Sequence, residues 1–246
     1  MDVNDFFLQV SKGAIRGHSS IDKFGINEDV DTGTTPEDVW GGGGTYSYYP
    51  TSEESVQISS DSASDAAAGI GARTVQVQGL DANWAVATEV VTLDGTNTVD
   101  LETDFIRVFR MIVTSAGSSN TNAGTITLQG STDTAAVILA GQGQTQQAIY
   151  TVPGGHTGYL HKWYAGLSKT GPAREAQFTY QVRAFGQIYV VKGDLVASNV
   201  GSTLVERKFQ CPVVIPEKSD IKVVCESVSA NDTGVFAGFD IVLKED

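Results

Sequence analysis

The sequence predicts an all-β fold: a jelly-roll-type antiparallel β-sandwich behind an extended, mostly irregular N-terminal arm. Three observations predict it. Short segments alternate apolar and polar residues with a period of two. Turn dipeptides rich in Gly, Asn, Asp and Pro separate those segments. The chain has 27 glycines among 246 residues, and β-branched residues are abundant, which favours strands and turns over helices.

The arm is assigned to residues 1–55 and the sandwich to residues 56–246. At the start, Asn4 is placed to cap a short helix carrying Phe6, Phe7 and Val10, which Gly13 ends. Next comes KGAIRGHSSIDKFGINEDVDTG, where single apolar residues such as Ile15, Ile21, Phe24 and Ile26 punctuate glycine and charge. Beads of this kind bury too little area to offset the entropy of ordering. The expectation is an arm that orders against another surface. EDVWGGGGTYSYYP then places four glycines between Trp40 and the tyrosines 46, 48 and 49, as in a strap.

Strand follows strand from Val56 onward. Val75 and Val77 alternate with glutamines, and Ile126 and Leu128 with threonines. Phe178, Tyr180 and Val182 form a third set, Ile221, Val223 and Cys225 a fourth, and Val235 to Leu243 the longest. FIRVFRMIV, residues 105–113, is apolar on both parities and predicts a central strand covered on both faces. Asp94-Gly95, Gly141-Gln142-Gly143, Pro153-Gly154-Gly155 and Asn231-Asp232-Thr233-Gly234 mark turns between them.

Charge narrows the partners. Lys plus Arg total 16 against 29 Asp plus Glu, a net of −13. Such a surface repels phosphate backbones, so nucleic acid is disfavoured as a partner. Residues 1–60 hold 3 basic and 10 acidic residues, a net of −7, about half of the total. No run of 18 apolar residues is present, so no membrane span is expected. The start, MDVNDFFLQV, lacks the basic and long apolar regions of a signal peptide and predicts synthesis in a cytoplasm without export. Cys211 and Cys225 read as two small reduced core residues, with a bridge between neighbouring strands as the other reading.

Residue patterns that carry chemistry are few. His156 and His161 stand five apart, on opposite faces of a strand, which argues against a shared metal. Nucleophile-elbow, dinucleotide-loop and P-loop patterns are missing. Asn27, Asp29, Asp31 and Asp38 loosely echo a calcium loop, but Thr32 occupies the place that calls for glycine. No cofactor is expected. Trp163 and Tyr164, on opposite strand faces, offer aromatic stacking for a sugar or packing for a core.

The segments KGAIRGHSSIDKFGINEDVDTG and EDVWGGGG resemble an N-terminal region of tailed-bacteriophage virion proteins. VPGGHTGYLHKWYAGL, AQFTYQVRAFGQIYVVKG and VVIPEKSDIKVVCESVSANDTGVFAGFDIVL resemble the same group. The likeness does not extend over residues 56–150. It implies a non-enzymatic structural component of a virion, with no catalytic residues to carry over. The expected role is capsid decoration or cementing, on the capsid exterior or at the head–tail neck. The expected partners are the major capsid protein or other virion subunits, and copies of itself, as a homotrimer by analogy with jelly rolls at capsid threefold positions. Phe6, Phe7, Phe24, Trp40, Tyr46, Tyr48 and Tyr49 are the expected anchors of the arm. The alternative is a neck, tail or fibre protein whose sandwich binds a host glycan, with Trp163, Tyr164 and the turn near Asn231 as contacts. A polysaccharide depolymerase ranks last, because no pair of acids can be nominated for it.

Overall fold

The computed structural model describes residues 3–169 and 174–246, with side chains from Phe6 onward. The chain opens with helix α1 (Val3–Ser11), then strands β1 (His18–Val30), β2 (Glu37–Asp38), β3 (Gln57–Ser60), β4 (Ala72–Leu80) and β5 (Val86–Thr92). β6 (Val99–Asp100), β7 (Arg107–Ala116), β8 (Ile126–Gln129), β9 (Thr134–Ile138) and β10 (Ile149–Thr151) follow. β11 (His156–Leu167), β12 (Glu175–Ala184), β13 (Val190–Ser198), β14 (Leu204–Ile215), β15 (Ser219–Val228) and β16 (Thr233–Glu245) complete it. The all-β expectation holds: the pairings among strands β2 to β16 are antiparallel, and α1 is the one α-helix among the described residues.

The chain divides into two compact units. One comprises residues 1–24, 28–39 and 148–246, the other residues 25–27 and 40–147. These units divide at 39/40 and 147/148, whereas the sequence pattern predicts one boundary at 55/56. β2 pairs with β15, and the Val39 amide donates to Val223 at 3.0 Å, so residues 37–39 are hydrogen-bonded into the C-terminal sheet. The Ala148 amide donates to the Val39 carbonyl at 2.9 Å. Exit and return of the middle segment thus lie side by side, the geometry of an inserted unit.

The first unit is a two-layer sandwich. One sheet has the order β1-β16-β11-β14; the other runs β10-β15-β12-β13, with β2 also on β15. β11 and β16 pair over a long ladder, from His156 opposite Glu245 to Leu167 opposite Val235, as the alternation in both predicts. The layers meet through Trp163 of β11 and Tyr180 of β12, both buried, with ring centroids 5.1 Å apart. These strand orders describe a β-sandwich of antiparallel sheets.

The extended arm is also corrected. Residues 18–30 form the thirteen-residue strand β1 beside β16, in the same sheet as the C-terminus. Its fully buried positions from 23 to 27 are Lys23, Gly25 and Asn27, while Phe24 and Ile26 are only partly covered. That inverts the usual apolar-in, polar-out alternation, so the hydrophobic pattern hid the strand. Helix α1 forms as expected and ends in a Schellman arrangement. Gly13, at φ +67°, donates to Val10 at 2.9 Å, and Ala14 donates to Gln9 at 2.9 Å. The Asn4 cap lies outside the described side chains.

The inserted unit has a four-stranded sheet β6-β3-β8-β9 and a three-stranded sheet β5-β4-β7. Residues 105–109 are buried on both faces as expected, but β7 ends its sheet rather than sitting at the centre. Its outer side is satisfied by an irregular segment: Val113 donates to Gly143 at 2.8 Å and Thr145 to Met111 at 3.0 Å.

Candidate functional site

The glycine-rich strap builds the inserted unit from within. Trp40 is 6% exposed, Tyr46 3% and Tyr48 1%. Trp40 and Tyr46 meet edge to face at 5.1 Å, as do Tyr46 and Tyr49. The Arg107 guanidinium lies over Tyr49 at 5.2 Å and over Trp84 at 5.1 Å. The Tyr46 hydroxyl donates to Ala135 of β9 at 2.9 Å and reaches the Val108 carbonyl of β7 at 3.4 Å. It therefore ties the unit's two sheets together. The Tyr48 hydroxyl donates to Phe105 at 3.1 Å. Burial, with the nearby Glu54 carboxylate, pushes the Tyr48 hydroxyl far above its ordinary range.

Of the expected arm anchors, Trp40, Tyr46 and Tyr48 are core residues of their own unit, and Tyr49 is partly buried. Phe24, on β1, is part of a sheet. Phe6 and Phe7 remain partly exposed on α1. Phe7 packs edge-on against the His161 ring at 4.7 Å, and Phe6 against His18 at 6.1 Å. Burial lowers the His161 pKa, opposed by the Asp240 carboxylate.

Beside the strap lies a cleft of about 510 Å³, lined by Trp40, Thr45, Ser47, Thr127, Asp133 and Thr134 among others. Asp133 accepts from Ser47 Oγ at 2.6 Å and Thr132 Oγ1 at 2.8 Å, and these two bonds hold its carboxyl below the ordinary range. A carboxylate among hydroxyls beside an indole is suited to polyhydroxylated ligands. Sequence reasoning missed this cleft: its threonines come from strands and turns far apart in the chain, and no motif joins them.

The four acidic-loop candidates separate. Asp29 and Asp31 join Asp232, all three offering carboxylate oxygens within 4.8 Å of one another. The Asp232 amide donates to Asp31 Oδ1 at 2.8 Å, and Thr32 donates to Asn231 Oδ1 at 2.8 Å. Asn27 is buried on β1. Asp38 pairs instead with Lys222 at 2.7 Å, the two side chains 1% and 10% exposed. Beside that pair, Lys222 and Arg183 flank the Tyr189 ring at 4.6 and 4.4 Å, and Arg183 reaches Asp220 at 2.8 Å. The calcium-loop spacing is thus not realised as one constellation.

Trp163 is fully buried and is not a stacking platform. Tyr164 is on the other face, its hydroxyl pushed up to about 12 by burial and by Asp22 and Asp240. Both cysteines are free thiols. Cys225 is buried and pushed up to about 12 by that burial and by Glu37; Cys211 is exposed, not a core residue.

No family model and no curated protein matches the chain. Among solved structures, the chain aligns with two described as "Structure of infectious bursal disease virus Gt strain" and "Crystal structure of infectious bursal disease virus VP2 subviral particle". Identities are 11% and 10%, each alignment covers 94% of this chain and 73% of the other, and TM-scores are 0.20 and 0.19. Superpositions this loose define no common fold and carry no argument about this chain.

Proposed function

We propose that the chain is a non-enzymatic structural protein of a bacteriophage virion that decorates or cements the capsid. One observation carries the reading. The stretches resembling phage virion proteins, apart from residues 25–27 and the strap at the boundary, build the sandwich of residues 1–24, 28–39 and 148–246, while the unfamiliar middle makes up most of the separate unit inserted at Val39 and Ala148. A likeness that respects a physical boundary supports a shared body carrying its own added unit. The docking element is shorter than the sequence implied: residues 1–17, where α1 rests on the sheet through Phe6 and Phe7 and is followed by Gly13 and Gly17 at positive φ. Purified virions should contain many ordered copies by mass spectrometry and density; their absence from particles rejects the role. Removing residues 1–17 should leave a folded protein that no longer binds the particle, and binding at full strength would reject the docking helix.

The second reading, a glycan-binding module of a neck, tail or fibre, is favoured by the Asp133 cleft. Host polysaccharide should then bind the full chain and fail to bind Asp133→Ala. No binding across a host glycan array rejects it.

A further inference from the structure

Exposed apolar residues are concentrated in one part of the first unit. Among the described residues, eight of the twelve exposed large apolar side chains fall within residues 185–214. They include Ile188 at 81% exposure, Val191 at 54%, Val196 at 55%, Val200 at 77% and Leu204 at 51%. These residues lie on β13, β14 and their connections, and β13 and β14 are the terminal strands of the two layers. A concentration of this kind on a soluble domain marks a surface that is covered in use.

The charge pattern identifies what covers it. Residues 185–214 hold Lys192, Arg207 and Lys208 against Asp194 and Glu206, a net of +1. The rest of the chain carries 13 basic and 27 acidic residues, a net of −14. Two copies repel one another across most of their surfaces and do not do so here. The signs are also self-complementary. Lys192 and Asp194 flank Gly193, and neither makes an ion pair among the described residues. A two-fold axis near Gly193 sets Lys192 of one copy against Asp194 of the other, twice over, with valines 191 and 196 beside them.

The strands are guarded against open-ended growth. β13 carries an extra residue where Tyr180 opposes Gly193 and Gln181 opposes Val191, leaving Lys192 bulged. β14 carries Pro212, which has no amide to donate. Bulge, edge lysine and edge proline all oppose strand addition. The contact is therefore one of side-chain burial between edges, not a continued sheet.

We propose that the β13–β14 edge is a self-association face on which a second copy of this chain packs about a two-fold axis near Gly193. The inference does not depend on the virion role. An isologous contact closes at two copies. Sedimentation equilibrium of the full chain should show a monomer–dimer equilibrium at tens of micromolar. Val191→Asp with Val196→Asp should weaken it about a hundredfold, with unchanged circular dichroism and melting. Should that variant fail to fold, Val200→Asp on the connecting turn with Leu204→Glu at the start of β14 replaces it. Val86→Asp, exposed in the inserted unit, should leave it unchanged. Lys192→Asp alone should weaken the dimer, and Lys192→Asp with Asp194→Lys should restore it. A strict monomer, a trimer, a dimer indifferent to the valine changes, or no recovery in the charge exchange would overturn the proposal.

Discussion

Gly42 lies against the indole of Trp40: a β-carbon at position 42 would fall inside the van der Waals envelope of the Trp40 ring carbons. The backbone folds over the ring that precedes it. Trp40 Nε1 donates to Gly44 at 3.2 Å, and Gly43 donates to the Trp40 carbonyl at 3.2 Å. Glycines 43 and 44 take φ of +69° and +62°. The four-glycine run is the lid of an aromatic core, and that is why flexible residues stand between bulky ones.

Gly42→Ala should destabilise the inserted unit by about 1–3 kcal/mol, because the added carbon overpacks a rigid ring. Gly43→Ala should cost roughly 1–2 kcal/mol from left-handed backbone alone. Urea melts followed by tryptophan fluorescence read both. Wild-type stability in Gly42→Ala would show that the strap is not packed as described.

Lys222→Met should cost about 3–5 kcal/mol by removing the cation from the buried Asp38 carboxylate. Asp38→Leu together with Lys222→Met should recover most of that loss, since two apolar groups leave no charge to solvate. Thermal unfolding of the three variants separates these outcomes. Equal damage in the single and double variants would mean that the pair does not act as a unit.

Asp65 is fully buried in the inserted unit. Burial alone raises its pKa, but amides of Ala123, Gly124 and Ala72 and the Ser60 hydroxyl donate to it and outweigh that effect, so its carboxyl sits below the ordinary range. A depressed carboxyl contributes stability that is fully present above its unfolded pKa of about 3.9 and is lost as pH falls through the folded value. Asp65→Asn should destabilise the unit at neutral pH and flatten the acid limb of its stability curve below about pH 4. An acid limb identical to wild type would contradict this.

His161 gives helix α1 a pH response in a milder range. Its pKa is lowered by burial under Phe7 and nearby groups, with Asp240 opposing. The unfolded imidazole, near pH 6.5, binds a proton more readily than the folded one. Stability from this packing is present above that value and declines as pH drops toward the folded pKa. Proteolysis within residues 12–17 should accelerate as pH falls below about 6.5, and Phe7→Ala should be fast throughout. A rate independent of pH in the wild type would remove His161 from the docking of α1.

Much of the site was hidden by its chemistry. The cleft beside Trp40 draws Ser47, Thr127 and Asp133 from separate strands and turns, and hydroxyl residues carry no spacing signal. Asp65 looks like any turn aspartate in DSASDAAAG; only the fold brings the Ala123 and Gly124 amides to it. The tyrosines 46, 48 and 49 announce an aromatic cluster by composition, but whether they face a partner or their own core depends on which strands close over them.

Period-two alternation, with turn residues between the runs, determined the all-β class and strands such as β12, β15 and β16, because their apolar faces are the faces that the layers bury. Local backbone chemistry likewise determined the end of α1 at Gly13. The tertiary structure decided where the chain divides, and that β1 is a strand rather than a loose leader. Both depend on pairings with β15 and β16, nearly two hundred residues away, and on a buried face made of Lys23, Gly25 and Asn27. Polar groups are buried only where distant partners satisfy them, and no local stretch of sequence records that those partners will arrive.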